Sequence, residues 1–399
     1  MPSALAEPIV PANLEGALDR LDGAREDRDR RKALLARSFE LRSGRERPGR
    51  FWKIDLDALD FSGLQPAITR GPAISAPGTD RVIACDLATA RREHASLVEQ
   101  ASAHAAHPSE QKFAALAEAL RNCGAFVYVP PDIALDEPIE IAYDASPDGL
   151  FPYTLVLLDR GSSCTILERL NGPSRSFVCG RTEIVCNQGS RVSYACEQSL
   201  PPDAQRLWTH TAHPQADAAI IWNIAELGSA LSVGTITVLM RSPGASAEIN
   251  VLFFPNGGQH VDVVSNVEHQ AGGSHSQTSI KSAATDRGQA RYLGNIRIAQ
   301  DAQATDARLR DDALLLSPRA HIDSVPALEI AANDVKAYHG ATVGAIDEEQ
   351  IFYMGSRGIA RTEAERMIAL GFFEPLIEHF PTNALRERLR AALREKVRQ

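Results

Sequence analysis

The chain has no excess of basic side chains: 42 Lys and Arg stand against 51 Asp and Glu in 399 residues. Nucleic-acid binding draws on a positive surface, so the composition offers no electrostatic case for that kind of partner. The sequence also lacks any run near the ~20 apolar residues of a membrane helix, and its N-terminus has no apolar core of the signal-peptide type. The expectation is a soluble, mildly acidic, cytoplasmic protein without a membrane partner. Closely paired cysteines are missing too. Cys85, Cys123, Cys164, Cys179, Cys186 and Cys196 show none of the short double spacings that close a zinc site. The last four lie among Val, Ile and Tyr in apparent strands, where a reduced thiol behaves as a small buried hydrophobe. A sulfur-carrying role is the alternative for them.

A chain of this length favours two or three structural units. Residues 1–124 read as a helical domain. Leu14, Leu18 and Leu21, then Leu34, Leu35, Phe39 and Leu41, flank a charged run from Asp19 to Lys32, expected to form solvated helix faces. Residues 44–80 are rich in Gly and Pro, with Phe51-Trp-Lys-Ile54 as a docking point. One Ala-rich helix is expected from His94 to Arg121, stopped by Asn122 and Gly124. His94, His104 and His107 read as surface residues.

From residue 125 to 346 the texture is that of strands. The turns at Gly161, Gly189, Ala216, Gly244 and Gly272 fall 28, 27, 28 and 28 residues apart, and Asp301 follows 29 further on. Each unit of such a repeat leaves an apolar face that only the next unit can cover. Short strands with small residues at the corners make it a β-solenoid, and its two end coils leave open edges that helices or a partner must cover. Residues 347–399 read as helices again. Thr362-Glu-Ala-Glu365 has the pattern of a capping box, Glu374-Pro375 is expected to open a second helix, and Thr382 a third. Phe372, Phe373, Leu376 and Ile377 either pack on the solenoid or form a docking face.

The stretch from Asp311 to Ile359 holds brief apolar pieces between corners, and His339 is expected at one such corner, flanked by Gly340 and Gly344. A wider stretch, from about Asn295 to Phe373, carries ordered motifs that include Gly294-Asn-Ile-Arg-Ile298, Pro326-Ala-Leu-Glu-Ile330, Asn333-Asp-Val-Lys336, His339-Gly-Ala-Thr-Val-Gly344, Asp347-Glu-Glu-Gln350 and Ser356-Arg-Gly-Ile359. In these residues the chain resembles the SufB/SufD family of iron-sulfur cluster assembly proteins. Within that family it looks like SufD, because Gly340 follows His339 where SufB members carry a Glu. SufD members commonly have a Cys two residues before this His, and Ala337 stands there instead.

The resemblance implies a mixed α and β fold, a right-handed parallel β-helix core between N-terminal and C-terminal helical domains. It implies a non-enzymatic scaffold with a SufB-like partner on the β-helix and a SufC-like ATPase on the C-terminal helices, with Phe372, Phe373, Leu376 and Ile377 as contacts. A homodimer without SufB stays open, since a two-fold interface needs only one self-complementary patch. His339 becomes the metal ligand for a transient iron-sulfur cluster at a subunit interface, with no stable cofactor in the isolated chain. A reading from a different class is a carbohydrate-cleaving β-solenoid, for which Asp311, Asp312, Asp323 and Glu329 would supply carboxylates.

Overall fold

A computed structural model describes residues 10–21, 25–41, 54, 56, 59–77, 81–104 and 108–398. Phe51, Trp52 and Lys53 of the expected docking point, and His107, lie outside the described residues, whereas Ile54 is buried in the core under the N-terminal helices.

From Cys123 to Ala345 the chain winds into a β-solenoid of about eight coils. Successive strands alternate between two nine-stranded sheets, so each strand pairs in parallel with the one a full coil away. The corners carry the repeat seen in the sequence. Gly161, Gly189 and Gly244 adopt left-handed backbone (φ 67, 68 and 69°), where glycine has no Cβ to clash. At the other corners the left-handed residue is Asp217, Gly273 or Ala304, slightly displaced from the expected site. Backbone hydrogen bonds link one corner to the next, as from Gly189 N to Ala216 O (3.0 Å) and from Gly273 N to Gln303 O (2.8 Å).

Alternation of side chains along each strand, combined with in-register stacking, turns every inward position into a ladder through the coils. One ladder runs Ile139, Ile166, Tyr194, Trp222, Ile249, Thr278, Leu309, His339. All but the last are buried. That stack is part of one continuous core along the solenoid.

The N-terminal region is less purely helical than its composition suggests. Two short strands, Ala73–Ser75 and Ile83–Asp86, pair antiparallel with the first strand of each sheet. They form because the first coil has a free edge whose N–H and C=O groups need partners. Helices α1 (Ala12–Ala17), α2 (Arg25–Glu40), α3 (Leu87–Glu93), α4 (Ala95–His104) and α5 (Lys112–Ala119) cover the outer face of one sheet. The single helix expected from His94 to Arg121 is broken, with a 3-10 turn at Pro108–Glu110 between α4 and α5. Pro108 lacks an N–H and disfavours helical backbone before it. The charged run is mostly solvated, but Arg31 is buried and donates to the Ala119 and Arg121 carbonyls (3.4 and 2.9 Å).

At the other end of the chain, α7 (Arg361–Ile377) and α8 (Asn383–Arg398) pack on the outer face of the second sheet, and α6 (Glu348–Ser356) packs against α7. The capping box does not form. Ala360 is the N-cap, and Glu365 instead accepts from Arg361 Nε at 2.8 Å. Nor does Pro375 begin a helix: α7 runs through it. Pro375 lies in the last turn of the helix, which ends two residues later at Ile377. Thr382 does cap α8, its Oγ1 accepting from Leu385 N at 3.3 Å.

Candidate functional site

The last strand of each sheet, His321–Ile330 in one and Val335–Ala345 in the other, is paired on one side only. His339 lies on the second of these. It occupies an inward position above Leu309, but no coil among the described residues lies beyond it, and its imidazole is exposed. Its inward neighbours Ala337 and Ala341 are small, so little stands beside the ring. Tyr338, on the outward face, is 58% exposed, and Val343 and Val325 add further accessible apolar surface to this end. A Cβ at Gly340 would come within 2.5 Å of the Tyr338 hydroxyl, the far end of an exposed side chain that can swing aside.

One coil inward from Ala341, Asp311 is buried in the core row. Ser324 donates to its Oδ2 from the opposite sheet, while Oδ1 has no hydrogen-bond partner. Burial, with Asp312 adding repulsion, pushes this carboxyl up to about 7. Asp312 points the other way and binds Arg310 (3.0 Å) and Thr342 (2.9 Å). Asp323 accepts from His321 at 3.0 Å, and Glu329 lies six residues further along that strand beside Arg297. These four carboxylates are spread over the interior and two outer faces, whereas a glycosidase pair must flank one bond at ~5–10 Å.

The cysteines are all free, and Cys164, Cys179, Cys186 and Cys196 are buried. Burial raises the Cys164 thiol to about 12 and pushes the other three up as well. Cys196 is not a purely apolar filler, however. Arg206 Nη2 donates to its sulfur at 3.3 Å, and the thiol lies 3.6 Å from Glu168 Oε1. Glu168 also accepts from Tyr194 (2.5 Å), and Arg206 pairs with Glu226, which accepts from Ser232 at 2.7 Å. This polar chain inside the solenoid escaped the sequence reading. Its members fall on inward positions only once the strand register is known.

The C-terminal residues separate into two sets. Phe373, Leu376 and Ile377 are buried against Ala225, Leu252 and Phe254 of the solenoid, so they are not available as surface contacts. Phe372 is half-buried, edge-on to Phe373 at 5.2 Å, with the Lys281 ammonium 4.2 Å from its ring centre. What the module does expose is Phe352 (79%) and Tyr353 (60%) on α6 and Met367 on α7.

The fold and the site define a solenoid protein with one covered end and one bare end that displays an imidazole. The description "SUF system FeS cluster assembly, SufBD core domain" matches residues 141–372, and "SufBD protein N-terminal region" matches residues 74–141. The chain belongs to the SufBD family of iron-sulfur cluster assembly proteins. Similar proteins include an iron-sulfur cluster assembly SufBD family protein of Staphylococcus saprophyticus, 28% identical over 305 residues, covering 75% of this chain and 66% of that one. The iron-sulfur cluster assembly protein SufB of Bacillus subtilis is 27% identical over 301 residues, 74% of this chain and 65% of that protein. The match thus spans just under two thirds of the length of these relatives.

Proposed function

We propose that the protein is a SufD-like, non-catalytic scaffold subunit of a cytoplasmic iron-sulfur cluster assembly complex. The observation that carries this reading is the core ladder that ends in exposed His339 on an uncovered coil. A SufB-like subunit pairs with this end, using the free backbone groups of Val335–Ala345 and the apolar surface of Tyr338 and Val343. Gly340 after the His supports the SufD-like assignment.

The cluster is cargo. Iron and sulfide need several soft ligands together, and no group of three His, Cys, Asp or Glu able to hold a metal occurs among the described residues. His339 supplies one imidazole nitrogen and the SufB-like partner supplies the rest. ATP hydrolysis belongs to a SufC-like partner docked on the C-terminal helices. Phe373, Leu376 and Ile377 hold that module on the solenoid from behind, and Phe352, Tyr353 and Met367 make the contact.

The test is co-expression with SufB-like and SufC-like proteins followed by anaerobic reconstitution. His339→Ala should assemble normally yet build no cluster, and the chain alone should stay colourless. Full cluster formation by the variant complex removes His339 from the mechanism. A stable chromophore on the lone chain overturns the shared-ligand arrangement, and self-association through the same edge without a SufB-like protein favours the homodimer.

A further inference from the structure

A cavity of about 600 Å³ opens where α7 and α8 meet the solenoid corners. Leu316, Ile346 and Val397 form its apolar lining. Lys396 lines it too, with 9% of its surface exposed. The ammonium donates to Asn256 Oδ1 (2.7 Å) and Gln259 Oε1 (2.8 Å), both neutral amides. No carboxylate among the described residues pairs with it, and one of its three donors has no acceptor there. The acidic residues of the cavity are already matched: Glu363 with Arg366 at 2.9 Å, and Glu365 with Arg361 at 2.8 Å. The Phe254 ring, 5.8 Å away at its centre, gives the Lys396 ammonium a cation–π contact but no counter-ion.

A buried ammonium without a counter-ion is costly, and burial alone pushes this one down to about 7. Docking α8 does not require such a charge, since Leu385, Leu389 and Leu393 already anchor it in the core. We infer that this cavity binds an organic anion, a carboxylate or phosphate joined to an apolar body, with Lys396 as its counter-ion. The apolar lining takes the body of the ligand and the third donor of Lys396 takes an anionic oxygen.

Calorimetric titration of the full chain with octanoate, octan-1-ol and inorganic phosphate tests the inference. Octanoate should saturate one site and bind at least tenfold more tightly than phosphate. Lys396→Met should weaken octanoate at least tenfold while leaving octan-1-ol unchanged. Ile346→Gln, which keeps the ammonium, should weaken octanoate with phosphate unaffected, and it serves as the test if the Met variant does not fold. Absence of saturable octanoate binding, equal affinity in Lys396→Met, or phosphate binding as tightly as octanoate would each overturn it.

Discussion

At the N-terminal end of the solenoid, Ala73–Ser75 and Ile83–Asp86 run antiparallel to the first coil and take up its free hydrogen bonds. At the C-terminal end, His321–Ile330 and Val335–Ala345 have a neighbour on one side only. Both ends present the same problem, a row of unpaired backbone groups that invites another strand. The chain covers one with its own residues and leaves the other bare. Even there the two strands differ. Pro326 interrupts the donor row of His321–Ile330, a device that discourages pairing, whereas the eleven residues of Val335–Ala345 contain no proline. The edge that carries His339 is the one left fit for a partner strand.

Substitutions along one ladder sharpen this contrast most. Trp222→Ala, in a closed coil, should cost about 3–5 kcal/mol in urea unfolding through the cavity it leaves. His339→Ala, the last rung of the same ladder, should lie within about 0.5 kcal/mol of the parent, as expected of an exposed site. Equal costs would mean that the last coil is as covered as the others.

The second prediction concerns Asp311, just below the bare end. An unfolded Asp titrates near ~3.9, and the buried one is raised to about 7. Between those values the native state holds a proton that the unfolded state has released, so stability falls as pH rises through this window and levels off above it. The loss is on the order of 4 kcal/mol, and Asp311→Asn should remove most of that slope in denaturation curves at successive pH values. A parent and variant with parallel pH profiles would show that Asp311 is not buried as a carboxyl.

Smaller effects separate assembly from folding. Val343→Lys places a charge at the free edge and should leave the melting temperature nearly unchanged while weakening pairing with a SufB-like partner by about tenfold, or ~1.4 kcal/mol. Sedimentation of the mixture reads this directly; unchanged pairing would move the interface elsewhere. At the covered end, Asp86 accepts from Ala88 N (2.8 Å) and Thr89 N (3.4 Å) as the N-cap of α3. Asp86→Ala should cost about 1 kcal/mol of stability and leave pairing intact.

Much of this was readable beforehand. The 27–28-residue spacing of Gly161, Gly189, Ala216, Gly244 and Gly272 marks the coils because a sharp corner demands residues that tolerate left-handed backbone. His339 stood out as a corner-flanked residue within family motifs. In the structure it lies within a strand, on the inward row of the last coil. The C-terminal helices were harder. Phe372, Phe373, Leu376 and Ile377 are apolar whether they face the solenoid or solvent, and helical spacing alone does not say which neighbour a face meets. The exposed pair Phe352 and Tyr353 was legible as a family motif but not as a contact surface, for the converse reason.

What the sequence by itself determined is local and repetitive: strand-length apolar segments, corners at a nearly constant period, a helical start and finish, and the family motifs around His339. These follow from backbone preferences and side-chain alternation, which act over a few residues. Only the tertiary structure decided which end of the coil is covered, that Asp311 and Asp312 face opposite ways, that Cys196 sits between Arg206 and Glu168, and that Lys396 reaches Asn256 and Gln259. Each depends on register or docking between segments far apart in the chain. A one-residue slip in register exchanges the inward and outward faces of a strand, so these placements come from packing of the whole solenoid.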